Sequence, residues 1–456
     1  MTLVALAGYI AVQLAIGAYV SRRILTETDY LIAGRKLGYG LGTFTIFATW
    51  FGAETCIGSA GAIYAQGLAG GRADPFGYGL CIVLMGAFLA RRLWARGLTT
   101  LADLYRQRYG RLAERLAVLL MLPASVLWAA AQIRAFGGVL AATSGLDVPV
   151  AVTIAVAIVI LYTAWGGLLA DAYTDLLEGA VLVAGLAVLF VAVWRNGGSE
   201  ALAAVPAARL QPFQGAPMTL LENWAIPICG SVVAAELVSR VLACRSADVA
   251  QRSALAASGM YFAAGAMPAL LGLMAFGMGV QLTDPEALLP TLAAQHLGPI
   301  LYTVFVGALV TAILSVADST LLTSAALVSH NIVVPLAPGL SERGKVRVAR
   351  GCVVALGLVA YGLAFTSESV YGLVLEASAF GSAGLFACVT LGLFTRWGGS
   401  RAALGALGAG LVSWVLGAYV LDLPYPYLTS LACAFGAFAI GAGVDARRPQ
   451  VLAVAA

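Results

Sequence analysis

The sequence predicts an all-α polytopic membrane protein of about thirteen transmembrane helices, and three observations carry that expectation. Hydrophobic residues make up 61% of the 456 positions and charged residues 11%, against about 25% charged in an average soluble domain. Apolar runs of the ~20 residues needed to cross a bilayer recur along the whole chain. Lys and Arg gather in alternate connections, as the positive-inside bias requires. The same composition excludes a soluble enzyme, a disordered chain and a nucleic-acid binder, because a net charge of +4 is too small for a phosphate-binding field. The seven cysteines show no paired spacing and mostly lie in apolar runs, so they read as small buried side chains rather than disulfides or metal ligands. With only His296 and His330 present, a histidine-rich metal centre is not expected.

The apolar runs cover 2–21, 37–64, 73–93, 111–142, 147–165, 172–195, 219–242, 250–282, 297–331, 346–366, 369–395, 401–421 and 425–444. The first is a leading helix and not a cleaved signal, because Arg22 and Arg23 follow the apolar stretch instead of preceding it. With the N-terminus outside, only Arg72, Arg195 and Arg209 fall on the outer side and Arg134 within a span. Every other Lys and Arg, from Arg22 through the loop pairs Arg91–Arg92, Arg240–Arg245 and Arg343–Lys345 to Arg447–Arg448, then lies inside. That places the C-terminus in the cytoplasm and the protein in the plasma (inner) membrane. No connection is long enough for a soluble domain.

Two of the runs are interrupted at membrane depth. In the second, Glu54 and Thr55 sit between Gly52 and Gly58. An unwound segment there frees carbonyls that can replace an ion's water shell, whereas glycine for close helix packing is the plainer reading. A glutamate in mid-membrane costs a few kcal/mol and favours function. In the seventh run, Pro227 and Gly230 interrupt Asn223–Ser231. Each interrupted run opens a block of five, 37–195 and 219–395. Five is odd, so the second block is inverted relative to the first, the signature of secondary transporters. Residues 401–444 add two trailing helices.

The ninth run places Ser315, Asp318, Ser319 and Thr323 largely on one face, and the sixth opens with Thr174 and Asp175. Oxygen ligands of this kind suit a small hard cation. Serines bonding back to their own helix are the structural alternative, and Asp318 tips the balance. Arg134 reads as a structural group that pairs with an acid or reaches a carbonyl. Glu236 is either a gate or a helix-end partner, Glu376 either faces the pocket or does not, and Asp74 is a pocket acid or an outer helix cap ahead of Pro75.

Four segments then carry a resemblance: Asp29–Lys36, Ala48–Gly58, Tyr162–Gly167 with Thr174 and Asp175, and Leu314–Leu322. In these the chain resembles the sodium:solute symporters, which include bacterial proline, pantothenate, sialic acid and galactose carriers and the animal glucose and choline transporters. The resemblance implies the LeuT-type fold of two inverted five-helix repeats. It implies a sodium site from the Ala48 and Phe51 carbonyls with Ala312, Ser315 and Val316. Val316 departs from the family's hydroxyl at that position. A second sodium site, found in some members, maps onto Asp175, Asp318 and Ser319. Solute contacts of the sugar carriers map onto Trp50, Thr55, Asp74, Gly77, Pro227, Gly230 and Ser231, mostly with different residue types, which disfavours a sugar.

The function expected is a symporter that couples inward sodium movement to uptake of a small organic solute, with no organic cofactor and no enzymatic chemistry. The acids Glu54, Asp74 and Glu376 with the aromatics Trp50 and Trp224 suit a cationic or zwitterionic amine. Val316 leaves four oxygens at the usual sodium site, so two couplings stay open. Sodium shifts inward onto Asp318 and Asp175, or one of these acids carries a proton and drives uptake. A membrane solute sensor is the rival from another class.

Overall fold

The computed structural model describes residues 2–366 and 370–446, and these are helical apart from turns and one isolated β-bridge between Leu37 and Cys244. Arg447 and Arg448, counted above on the inner side, lie outside the described residues. Eight helical stretches are long and apolar enough to cross a membrane, and two bent pairs raise the number to ten. The two longest of the eight are too long for one crossing. Val148–Val193 has 46 residues, about 70 Å at 1.5 Å per residue, more than twice the ~30 Å hydrocarbon core. It turns sharply at Gly167, where φ is 59° and ψ −178°. The bend brings the Tyr162 and Thr174 hydroxyls to 2.7 Å, whereas twelve residues of straight helix span about 18 Å. Glycine is required there, because a Cβ would collide with Tyr30 at 2.7 Å in a backbone region L-residues avoid. The 42-residue stretch Glu54–Ala95 is likewise broken by 3-10 and π turns between Gly67 and Gly77.

The first broken helix runs Tyr39–Ala48, unwinds, and resumes through a π turn at Glu54–Ser59 into Ala60–Gln66. The second runs from Pro217–Ala225 through π and 3-10 turns to Ala235–Ala243, with a 44° bend. Its discontinuity falls at Ala234, in extended backbone with φ −63° and ψ 130°, not at Pro227. Pro227 and Gly230 occupy the π turn Ile226–Gly230, which absorbs the missing proline donor before the chain opens. The start of the first broken helix and the end of the second are stitched together: Leu37 donates to the Ala243 carbonyl at 3.1 Å and accepts from Arg245 at 2.9 Å.

Around them stand the helices Arg111–Ser144, Val148–Val193 and Pro299–Val328, which pack on one another. The leading helix Thr2–Ser21 lies against the second and third of these. On the other side Ala247–Gly277 packs on both halves of the first broken helix. The trailing helices Ser400–Val415 and Pro426–Ala446 pair with each other. Glu222 of the second broken helix anchors the last of them by accepting from the Tyr427 and Leu428 N–H groups at 2.7 and 2.8 Å, a carboxylate on a helix N-terminus. Where the expected inner connections gather, Asn331 binds Asp103 and Glu114 at 3.0 and 2.8 Å, and Thr100 binds Asn331 at 2.7 Å. Burial pushes the Asp103 carboxyl up. His330 and the Thr99 and Thr100 N–H groups outweigh that and hold it at about 2.

Candidate functional site

Polar residues of the broken helices and their neighbours form two buried centres. The first, which the expected orientation makes the inner centre, lies between Thr45 of the first broken helix, the Val148–Val193 helix and the Pro299–Val328 helix. Asp175 accepts from both Thr45 and Ser315, one hydroxyl on each carboxylate oxygen. Asp171, one turn earlier, binds Arg240 and Ser319, with Asp318 of the facing helix beside it. Arg240 also donates to Thr49 at 3.0 Å and to Ser319. It was expected as a surface charge of an inner connection. The structure corrects this: Arg240 has no solvent exposure and ties the two broken helices to both long helices. Glu178 follows Asp175 by three residues and accepts from Gln13 of the leading helix.

Asp171, Asp175 and Glu178 thus form an i, i+4, i+7 stripe facing the Ser315, Asp318 and Ser319 stripe. Four carboxylates share this region with Arg240 as the one cation hydrogen-bonded to them among the described residues. Such an arrangement calls for further positive charge. Asp171, Glu178, Thr45 and Arg240 were not singled out from the sequence. The stripe spacing within an apolar run, and an arginine flanked by Val-Ser and Val-Leu-Ala, were the available signals. Val316 is buried with its isopropyl group against Gly52, where a glycine Cβ would sit 2.5 Å away. Its only oxygen, the carbonyl, accepts from Thr320 at 3.0 Å.

The second centre surrounds the break of the first broken helix. The Ala53 N–H bonds the Gln132 side-chain oxygen at 3.3 Å, and the Gln132 amide donates to Glu54 at 2.7 Å. Gln132 therefore holds the unwound backbone and the glutamate together. Asp74 accepts from Thr55 at 2.6 Å and from Tyr261 at 3.0 Å, and its backbone carbonyl accepts from Ser59 at 2.5 Å. It is fully buried, with its backbone extended (φ −135°, ψ 130°) ahead of Pro75. Trp50, Tyr78 and Trp128 pack with ring centroids 5.4 to 6.1 Å apart. Gly77 lets the Pro227 ring approach, where a Cβ would lie 2.5 Å away.

Beside the rings, a cavity of about 30 Å³ is lined by Ser125, Trp128, Gly230, Ser231, Glu236 and Ser378, among others. Tyr78 and Ser231 reach Ser378 at 3.1 and 3.3 Å. Two expected pocket residues lie elsewhere. Glu376 is exposed and bonds Tyr419, on the helix face away from Ala377 and Ser378. Trp224 stacks on Phe213 with centroids 5.3 Å apart. Arg134 reaches the Ala364 carbonyl at 3.4 Å.

Comparison with known proteins adds three findings. The sequence pattern of the sodium:solute symporter family matches residues 30–412. High-affinity choline transporter 1 of Caenorhabditis elegans is 30% identical over 369 residues, 76% of this chain and 63% of that protein. The Homo sapiens high affinity choline transporter 1 is 30% identical over 88% of this chain and 72% of its own length. The high-affinity proline transporter of Bacillus subtilis (strain 168) is 26% identical, over 85% of this chain and 86% of its own. The chain thus spans less than two thirds of the worm relative's length. Among solved structures, a substrate-bound outward-open Na+-coupled sialic acid symporter superposes with a TM-score of 0.85 at 17% identity, covering 97% of this chain and 98% of that one. The fold is that of the LeuT-type transporters.

Proposed function

The chain belongs to the sodium:solute symporter family, and from that premise we propose that it couples inward sodium movement to uptake of a small organic cation or zwitterion of the choline type. It is a multi-pass protein of the cell membrane and a transporter rather than an enzyme. One observation carries the solute class: Trp50, Tyr78 and Trp128 meet beside Glu54 and Asp74, whose hydrogen-bond partners are all neutral among the described residues. Ring faces and buried carboxylates attract a desolvated ammonium by about 2 kcal/mol per good ring contact. The choline and proline relatives are consistent with an ammonium-bearing solute. The cavity of about 30 Å³ is well below the ~300 Å³ of a typical ligand pocket, so the rings must part to admit it.

In this reading sodium is carried at the inner centre. Ser315, with Asp175 and Thr45 beside it, supplies side-chain oxygens, and Ala48, Phe51 and Ala312 supply carbonyls. Val316 adds no hydroxyl, so the ion lies towards Asp175 and the Asp318–Ser319 pair. Arg240 clamps the inner path by holding Thr49, Asp171 and Ser319 at once. Opening inward requires those contacts to break as the broken helices rock against the Pro299–Val328 helix. Sodium and solute binding are then mutually linked. The topology in this reading keeps thirteen crossings, with leading helix 2–21, repeats 37–195 and 219–395, trailing helices 401–444 and the N-terminus outside.

The test is uptake into proteoliposomes with an imposed sodium gradient, over labelled choline, proline, sialic acid and acetate. Saturable, sodium-driven choline uptake is expected. Acetate as the best substrate overturns the amine assignment, and uptake that ignores sodium but follows a pH gradient overturns the ion assignment. Tags after Gly197 and within 284–292 should react from outside, and tags within 340–345 only from inside. An inside location for 284–292 breaks the topology.

A further inference from the structure

Glu178 ends the acidic stripe of the inner centre, and its hydrogen bond goes to the leading helix instead of to the groups around Asp175. It is buried on the Val148–Val193 helix and faces Gln13 of the leading helix, which is 2% exposed. The Gln13 amide nitrogen donates to one carboxylate oxygen of Glu178. The other carboxylate oxygen and the Gln13 amide oxygen have no hydrogen-bond partner among the described residues. Two buried acceptors are thus left unmatched on the two side chains that are already joined by one hydrogen bond. Each unmatched buried group has lost the hydrogen bonds that water gave it in the unfolded chain.

One proton resolves both deficits. A neutral carboxylic acid and a primary amide form a ring of two hydrogen bonds, N–H to the acid carbonyl and O–H to the amide oxygen. Turning the Gln13 amide over exchanges its two ends and leaves the same ring. No arrangement with an ionised Glu178 satisfies both atoms, because Gln13 then offers a donor to only one carboxylate oxygen. A metal ion is a poor alternative occupant, since the pair presents one carboxylate and one amide oxygen where hard cations gather about six. The electrostatics agree. Asp171 and Asp175 lie on the same helix face, and Asp318 and the Tyr162 hydroxyl come from the adjoining segments. These groups, the ones that act on Glu178 most strongly among the described residues, are acidic or neutral, and the cluster's guanidinium is engaged with Asp171.

We infer that Glu178 and Gln13 form a proton-binding site, taken up from solvent as a neutral acid–amide pair and separate from the sodium and solute sites. The leading helix, which stands outside both repeats, completes it. With Glu178 neutral, three carboxylates remain opposite Arg240, and sodium is left to offset the rest.

Infrared difference spectroscopy of the full chain in lipid at neutral pH tests it. The wild type should show the C=O stretch of a protonated buried carboxyl that is missing in Glu178→Gln. Gln13→Leu should keep that band but move it upward in frequency, because the acid loses its amide partner. Glu178→Gln replaces the acid by a neutral isostere, so it should melt close to the wild type, whereas Glu178→Ala should melt lower. Identical carboxyl bands in wild type and Glu178→Gln overturn the assignment. So does a Glu178→Gln protein that loses an ionised-carboxylate band instead, or a Gln13→Leu band that does not move.

Discussion

The two buried centres contain the same kind of anion but different company. Around the break of the first broken helix, Glu54 and Asp74 sit with Trp50, Tyr78, Trp128 and neutral donors. One layer away, Asp171, Asp175 and Asp318 sit with Ser315, Ser319, Thr45 and a guanidinium. Hydroxyls and carboxylates replace the water of a small hard ion, whereas ring faces replace the water of a large soft cation. The difference teaches that a carboxylate alone does not select its partner; the groups beside it do. It also separates a centre that carries a built-in cation, Arg240, from one whose acids have only neutral hydrogen-bond partners among the described residues.

The largest effect should come from removing that built-in cation. Arg240→Ala leaves buried carboxylates unpaired, at a cost of about 3–5 kcal/mol. It should lower the melting temperature in detergent more than any other single change proposed here and abolish uptake. Arg240→Ala with Asp171→Asn should recover part of the melting loss. No recovery would mean that Arg240 does not act through Asp171.

Next comes the sodium side. Ser315→Ala and Thr45→Ala each remove a hydrogen bond to the Asp175 carboxylate, worth about 1.5–3 kcal/mol. The sodium concentration for half-maximal uptake should rise by about 10- to 100-fold. Thr323 lies two turns further along, and its hydroxyl bonds its own helix at the Ser319 carbonyl, 2.8 Å away, so Thr323→Ala should change sodium activation by less than about twofold. Equal effects at Ser315 and Thr323 would remove sodium from the inner centre.

On the aromatic side, Trp50→Leu removes a ring contact of about 2 kcal/mol, which is roughly 30-fold in solute KM. Trp50→Phe should lose less. If Trp50→Leu instead raised the sodium requirement and left KM unchanged, the division of labour between the centres would be reversed.

The smallest expected change is a gain. Val316→Thr keeps the branched shape packed on Gly52 and returns a hydroxyl to the position. One added oxygen, at about 1 kcal/mol, should reduce the sodium requirement by about fivefold. An unchanged requirement would place the ion wholly on the Asp175 and Asp318 side.

Much of this was open to reading in the chain. Glu54 in an apolar run, the Ser315–Asp318–Ser319 stripe and Asp175 were all marked by polar residues where lipid would otherwise be met. Composition and run length decided the membrane class, because a 61% hydrophobic chain has no other stable place for its side chains. Two interrupted runs, each opening a block of five, decided the repeat. Tertiary structure alone decided who meets whom. Ser315 and Asp175 are 140 residues apart, and Arg240 and Asp171 are 69 apart. Helical periodicity says which face a residue occupies but not which helix that face meets. The sharp turn at Gly167 carries Asp171, Asp175 and Glu178 to their partners, and the opening at Ala234 turns Arg240 inward from an apparent loop. Both are backbone events whose direction depends on the packing around them. A charge such as Arg240 therefore reads as surface in one dimension, and its buried role emerges only once four helices close around it.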